Sequence, residues 1–174
     1  MSLTFVLGGA RSGKSAHAQA LVEAAAERGG TAPVMIATAQ ALDAEMAERI
    51  DLHRQSRGPA WRTVEAPLDP AAAIEALQAG EAAVLDCLTL WLSNLMAAGE
   101  DIGPAAEILL EALVETPAEV AVVSNEVGLG LVPDNALARR FRDEAGRLHQ
   151  ALAARADKVV LMVAGLPMVV KDAG

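Results

Sequence analysis

Short apolar runs and alanine-rich amphipathic stretches alternate along this chain from one end to the other. Leu3-Thr4-Phe5-Val6-Leu7 is a run of β-favouring residues. Residues 14–27 follow, with Ala18, Leu21, Val22 and Ala25 at helical spacing. Gly29-Gly30 stops that helix, and Pro33-Val34-Met35-Ile36-Ala37 reads as a second strand. A helix is predicted from about Asp43, which can cap it, to Arg57, just before Gly58-Pro59. Trp61-Arg62-Thr63-Val64-Glu65 alternates and predicts an edge strand. Residues 70–79 predict a short helix with Pro70 in its first turn and Gly80 beyond its end.

The second half continues the pattern. Ala82-Ala83-Val84-Leu85-Asp86-Cys87 is an apolar strand with a carboxylate near its end, and a helix over residues 88–98 comes after it. Gly103-Pro104 open another helix, to about Val114. Val120-Ala121-Val122-Val123-Ser124-Asn125 predicts a buried strand that runs into a glycine-rich loop over residues 126–133. Asp134 or Asn135 can cap a long helix to about Ala156. Residues 158–163 form another strand, and Met168-Val169-Val170-Lys171 a last one. No repeat, low-complexity tract or long linker intervenes, so residues 1–174 read as a single domain. Near-continuous apolar strands separated by helices predict a mainly parallel sheet covered on both faces. In such sheets ligands gather beyond the carboxyl ends of the strands. The segments after Leu7 and Ala37, with Asp86 and Asn125-Glu126, are therefore expected to share one crevice.

One of those ends carries a motif. Gly8-Gly9-Ala10-Arg11-Ser12-Gly13-Lys14-Ser15 fits the phosphate-binding loop pattern G-x-x-x-x-G-K-[ST] without mismatch, and it has the required strand before it and helix after it. Its glycines let backbone N–H groups turn inward toward phosphate oxygens, helped by the N-terminus of the helix. Lys14 would reach the β- and γ-phosphates, and Ser15 would offer its hydroxyl to Mg²⁺. Joined to the strand–helix alternation, the motif predicts a P-loop NTPase-type (RecA-like) three-layer α/β sandwich with a mainly parallel central sheet.

Composition narrows the partners. Aromatic residues make up only 2% and tyrosine is absent, so the core must be aliphatic, with Trp61 and Trp91 as its few large pieces. A net charge of −9 argues against non-specific nucleic-acid binding, which needs a basic surface. The single cysteine, Cys87, excludes an internal disulfide and a cysteine-rich zinc site, and its place in an apolar run suits a buried small hydrophobe. No signal peptide is visible, because Arg11 interrupts the first apolar segment. No apolar run approaches the roughly 18 residues that span a bilayer, and the simplest compartment is the cytoplasm.

Beyond the phosphate loop, Asp86 is the best candidate to help hold Mg²⁺, in preference to capping the helix that follows it. His53 shares a helical face with Met46 and Ile50, where a histidine is ordinarily a packed or capping residue. Its neighbours Arg49, Arg54 and Arg57 make a positive cluster suited to phosphate oxygens, or else a solvated face paired with Asp43, Glu45 and Glu48. Asn125 and Glu126 either face substrate or shape a turn with Gly128 and Gly130. His17 and His149 show no evident partners and read as structural or surface residues. These features alone define a P-loop nucleotide-binding protein and leave open a small-metabolite kinase with one activity or a GTP-hydrolysing switch protein.

The order of motifs goes further. The phosphate loop, then Ile36-Ala37-Thr38-Ala39, the stretch over residues 43–54, Trp61-Arg62-Thr63-Val64-Glu65, Ser124-Asn125-Glu126-Val127-Gly128-Leu129-Gly130-Leu131-Val132-Pro133 and Phe141-Arg142-Asp143-Glu144-Ala145-Gly146-Arg147 cover nearly the whole chain. This closely resembles the bifunctional adenosylcobinamide kinase / adenosylcobinamide-phosphate guanylyltransferases of cobalamin biosynthesis. The resemblance implies phosphorylation of adenosylcobinamide with ATP or GTP, then transfer of GMP from GTP to the phosphorylated product through a guanylylated His53. It also implies that Ala37, Thr38, Ala39, Arg54, Gln55, Ser56, Arg57, Glu65 and Asp86 contact the guanine nucleotide, that Mg²⁺ accompanies it, and that subunits associate, with trimers known among relatives. Glu65 suits the N1–H and N2–H₂ edge of guanine because a carboxylate can accept both. The chain departs from some relatives in carrying Leu52 before a lone histidine, His149 where asparagine is familiar, and Asp86 in place of a glutamate.

Overall fold

In the computed structural model, residues 2–41, Glu48 and residues 58–173 are described. The helix expected over residues 43–57 lies outside the described residues. Seven strands form one sheet: β1 (Ser2–Gly8), β2 (Val34–Ala37), β3 (Arg62–Glu65), β4 (Ala82–Asp86), β5 (Glu119–Asn125), β6 (Lys158–Val163) and β7 (Leu166–Asp172). Their order is β3-β2-β4-β5-β1-β6-β7, and every neighbouring pair is parallel except β6 with β7. The helices between them are α1 (Lys14–Gly29), α2 (Pro70–Glu75), α3 (Leu88–Ala98), α4 (Ile102–Glu115) and α5 (Ala136–Arg155).

Alternate residues of each buried strand point to opposite faces, and the core divides accordingly. Leu3, Phe5, Val34, Ile36, Leu85, Val120 and Val122 pack on one face with residues of α2, α3, α4 and α5. Val6, Met35, Val84, Ala121, Val123 and Val160 pack on the other face with Ala18, Val22, Ala25 and Ala26 of α1. The predicted three-layer α/β arrangement is thus present, with small alanine side chains letting α1 approach the sheet closely. Trp91 is fully buried, and its indole N–H donates to the Leu68 carbonyl at 3.0 Å. Trp61 joins the core only at its margin: just before the outermost strand β3 it is half-buried against the cluster on the α1 face, and its indole N–H donates to Glu23 at 2.9 Å.

Local chemistry sets the element ends. Asp69, Asp101 and Asn135 cap α2, α4 and α5 through side-chain oxygens that accept from Ala72, Gly103 and Ala138 N–H groups. α2 is shorter than the sequence suggests, since the chain turns at residues 78–81, where Glu81 accepts from the Gln78 N–H, to enter β4. The last strand returns antiparallel through Ala164 and Gly165, both at positive φ (50° and 83°), the geometry of a tight hairpin. Lys171 of that hairpin donates to the carbonyls of Ala153, Ala154 and Ala156, satisfying the C-terminal end of α5.

The end of α1 is pressed against the turn before β4. A Cβ at Gly29 would overlap the carbonyl oxygen of Gly80, a backbone atom that cannot swing aside. Gly29→Ala is therefore expected to lower stability by about 1–3 kcal/mol, whereas Gly30→Ala meets no neighbour and suffers only from its left-handed φ of 66°. Chemical denaturation of the two variants beside wild type checks this ordering.

Candidate functional site

Strand register places the candidate residues in one row. Gly8 of β1 is level with Asn125 of β5, Asp86 of β4 with Val123 of β5, and Ala37 of β2 with both Asp86 and Glu65 of β3. These are all carboxyl ends, so Gly8, Asn125, Asp86, Ala37 and Glu65 line a single edge of the sheet. At about 4.8 Å per strand, Asp86 stands roughly 10 Å and Glu65 roughly 19 Å across the sheet from Gly8.

The segment between β1 and α1 has the form of a phosphate cradle. Gly13 takes φ 92° just before the helix, and Arg11 is also left-handed at 54°. The first turn of α1 holds no acidic side chain and its cap makes no side-chain hydrogen bond, so its outward N–H groups and the positive helix end await an anion. Lys14 is nearly buried and folds back so that Nζ donates to the Gly9 carbonyl at 3.0 Å. The buried Ser12 hydroxyl has no hydrogen-bond partner among the described residues, and a buried orphan of this kind marks a place for a ligand atom. A Cβ at Gly9 would meet nothing within 4 Å, whereas one at Gly8 would fall 2.5 Å from Ser12 Oγ and 2.9 Å from the Met162 carbonyl. Ala10 and Arg11 are exposed, and Ser15 is half-buried in the first turn of α1. These observations fit phosphate oxygens.

Asp86 ends β4, half-buried, and it does not cap α3, whose N-cap is Cys87 without a side-chain bond. The Asp86–Cys87 peptide is cis. Thr38 holds this corner. Its hydroxyl donates to the Cys87 carbonyl at 2.8 Å and accepts from the Cys87 N–H at 2.9 Å, while its N–H donates to the Asp86 carbonyl at 3.1 Å. With no exposed surface and both hydroxyl functions engaged, Thr38 sets the position of Asp86; Ala37 and Ala39 beside it are half-buried. Asp86 and Ser15 offer the carboxylate and hydroxyl that a magnesium–phosphate complex takes from a protein of this kind. Cys87 is buried, and burial followed by the charge of Asp86 pushes its thiol pKa up, so it behaves as a packed small side chain.

The end of β5 adds residues that the sequence left undecided. Asn125 donates to the Thr89 hydroxyl at 2.9 Å, and the Glu126 N–H donates to the Gly8 carbonyl at 3.0 Å, which ties the glycine-rich loop to the phosphate loop. The Glu126 carboxylate accepts from the Gly128 N–H. His149 is buried and has partners after all: Nε2 lies 2.7 Å from Ser124 Oγ, and its ring centroid is 5.5 Å from that of Phe5. Its place among Ala145, Leu148 and Leu152 on the buried side of α5 was the available signal. His53, Arg49, Arg54, Gln55, Ser56 and Arg57 lie outside the described residues. Glu65 is exposed at the end of β3, at the far end of the row.

A mainly parallel sheet with a phosphate loop after an interior strand and an acidic residue two strands away defines a P-loop nucleotide-binding protein. The folds of the flagellar accessory protein FlaH from Methanocaldococcus jannaschii (TM-score 0.52, 12% identity, 98% of this chain and 78% of that one) and of a KaiC-like protein from Pyrococcus horikoshii (TM-score 0.51, 16% identity, 92% and 70%) are similar. The chain belongs to the family described as cobinamide kinase / cobinamide phosphate guanyltransferase, whose model matches residues 4–170. It is 50% identical over 169 residues to the bifunctional adenosylcobalamin biosynthesis protein CobP of Pseudomonas aeruginosa, covering 95% of each chain. It is 43% identical to the bifunctional adenosylcobalamin biosynthesis protein CobU of Salmonella typhimurium, covering 97% of this chain and 99% of that one.

Two outcomes follow from this geometry. Gly8→Ala is expected to weaken nucleotide binding by about a hundredfold or more, since the added methyl collides with Ser12 Oγ and a fixed carbonyl; titration with a fluorescent GTP analogue measures it. Burial, opposed by the weaker effect of Glu126, holds the pKa of His149 below its ordinary 6.5. The unfolded chain therefore binds this proton more readily, so the stability it represents is complete above about pH 6.5 and is lost as pH falls below that value. Thermal unfolding of His149→Asn from pH 7.5 to 5 should fall less steeply than that of wild type.

Proposed function

We propose that this protein phosphorylates the hydroxyl of the aminopropanol arm of adenosylcobinamide with ATP or GTP, and then converts the product to adenosylcobinamide-GDP with GTP, releasing pyrophosphate. The observation that carries this reading is a built phosphate cradle in a chain whose near-full-length relatives are named bifunctional proteins of adenosylcobalamin biosynthesis. In the kinase step Lys14 leaves the Gly9 carbonyl to meet the β- and γ-phosphates, and the first-turn N–H groups of α1 hold the same oxygens. Ser15 and Asp86 would hold Mg²⁺, which when bound offsets phosphate charge.

In the second reaction the neutral imidazole of His53 forms a bond to the α-phosphorus of GTP, and pyrophosphate departs with the bridging oxygen. The phosphate of the acceptor then attacks that phosphorus and frees the imidazole, splitting one displacement into two. Arg54 and Arg57 suit the charge that develops, because guanidinium forks match phosphate oxygens. For Glu65 to accept from the guanine edge, the nucleotide must lie along the carboxyl edge of the sheet rather than across it. Gln55, Ser56 and the backbone at Ala37, Thr38 and Ala39 complete that pocket. The reading extends to a homo-oligomer, with a trimer as one form, and to the cytoplasm as compartment. Among the described residues no helix is long and apolar enough to cross a membrane.

The test is a single turnover with cobinamide, Mg²⁺ and GTP labelled at the α-phosphate. Wild type should form cobinamide phosphate and the GDP adduct, and should carry an acid-labile covalent label that His53→Ala lacks. Lys14→Ala should reduce both products and label by about a hundredfold or more. Phosphate product without label means a kinase of one activity, and GTP hydrolysis without any cobinamide product means a switch protein.

A further inference from the structure

A cavity of about 230 Å³ lies between the loop after β5 and one face of α5, with Glu126, Gly128, Arg142, Gly146, His149 and Gln150 among its walls. The four α5 residues recur at helical spacing, so they form one stripe facing the loop. The phosphate loop adjoins it, because the residue that opens the cavity, Glu126, is hydrogen-bonded through its N–H to Gly8.

A helical glycine faces this open space, and a second glycine bears on the carboxylate at its mouth. Gly146 sits in the interior of the twenty-residue α5, where glycine costs about 1 kcal/mol relative to alanine. A Cβ there would meet nothing within 4 Å, so neither packing nor backbone conformation requires the glycine. At Gly128 a Cβ would stand 2.9 Å from Glu126 Oε1, the carboxylate oxygen that the Gly128 N–H holds, so a side chain there would push that oxygen aside. One oxygen of Glu126 is thereby fixed, while Oε2 makes no hydrogen bond among the described residues. The Arg142 side chain is largely covered, and its ion-pair contact among the described residues, from Nε to Asp143, is long at 3.8 Å. A pocket with one carboxylate, one guanidinium and one carboxamide suits a neutral ligand bearing both amide and hydroxyl groups. Its volume falls below the roughly 300 Å³ at which sites for whole drug-sized molecules begin, so it takes an arm of a larger molecule rather than a macrocycle.

We propose that this cavity receives the hydroxyl-bearing amide arm of the acceptor, with Arg142 and Gln150 donating to the amide carbonyl and Glu126 Oε2 accepting from the hydroxyl. The inference rests on the kinase reading above. In the transfer, the arm's oxygen forms a bond to the γ-phosphorus as the bond from that phosphorus to the β–γ bridging oxygen breaks. The nucleoside diphosphate leaves with the electron pair, and the hydroxyl proton passes to Glu126 and on to water.

Steady-state phosphorylation of cobinamide by Gly146→Leu, Gly146→Ala and Glu126→Gln tests it, with affinity for a fluorescent GTP analogue measured beside each. Gly146→Leu fills the cavity and should raise the KM for cobinamide at least about tenfold, with nucleotide affinity within about twofold of wild type. Gly146→Ala should raise KM less while raising the thermal midpoint. Glu126→Gln should lower kcat by about a hundredfold with KM little changed. A Gly146→Leu protein that binds nucleotide and keeps the wild-type KM overturns the proposal, as does a Glu126→Gln protein with wild-type kcat. If Gly146→Leu fails to bind nucleotide, Gly146→Ala and Glu126→Gln decide on the same criteria. Wild type that binds nucleotide yet never phosphorylates cobinamide overturns the kinase reading instead.

Discussion

Three segments of the chain converge on Gly8: the Ser12 hydroxyl and the Met162 backbone, which leave no room for a side chain, and the N–H of Glu126, which donates to the Gly8 carbonyl. The rest of the structure is arranged around that convergence. β1 can bring Gly8 there only because it lies between β5 and β6 and is buried from both faces, with Phe5 on one side and Val6 on the other. Apolar burial supplies the driving force, and the alternating side chains distribute it to two helical layers. The loop that follows needs no core of its own. It is fixed at one end by the sheet and at the other by the start of α1.

The chemistry is local in a molecule whose overall charge opposes it. With a net charge of −9 the chain repels anions at long range. A phosphate-bearing ligand is therefore favoured only where N–H groups, Lys14 and the positive end of α1 concentrate within a few ångströms. Acidic residues are absent from the first turn of α1, which removes the nearest source of competition. Thr38 fixes Asp86: its hydroxyl and its N–H are all engaged with the backbone at Asp86 and Cys87, so the carboxylate emerges at a defined point of the sheet edge.

Much of this was legible from residue order. The phosphate loop demanded a strand and a helix at fixed places, and the structure has both; apolar runs located six of the described strands, alternation located β3, and α3 matches its predicted span. What escaped prediction depends on contacts between segments distant in sequence. Trp61 packs only at the rim of the core, because it lies just before β3, the strand at the margin of the sheet. His149 looked partnerless because Ser124 lies 25 positions away and meets it only through the packing of α5 on β5. Gly146, a glycine inside a helical pattern, showed its place in a cavity wall only once the space beside it was seen to be open.

The hairpin formed by β6 and β7 carries a consequence for how the chain's end relates to its beginning. The Gly165 N–H donates to the Ser12 carbonyl at 3.0 Å, and a Cβ on Gly13 would stand 3.3 Å from Gly165 Cα. Lys171, a few residues on, holds the final carbonyls of α5. The last strand is thus a brace shared by the phosphate loop and the longest described helix. Although β7 is the outermost strand on its side and is largely exposed, it is mechanically close to the chemistry, and a change in how it is seated would be transmitted to both the anion cradle and the helix beside it.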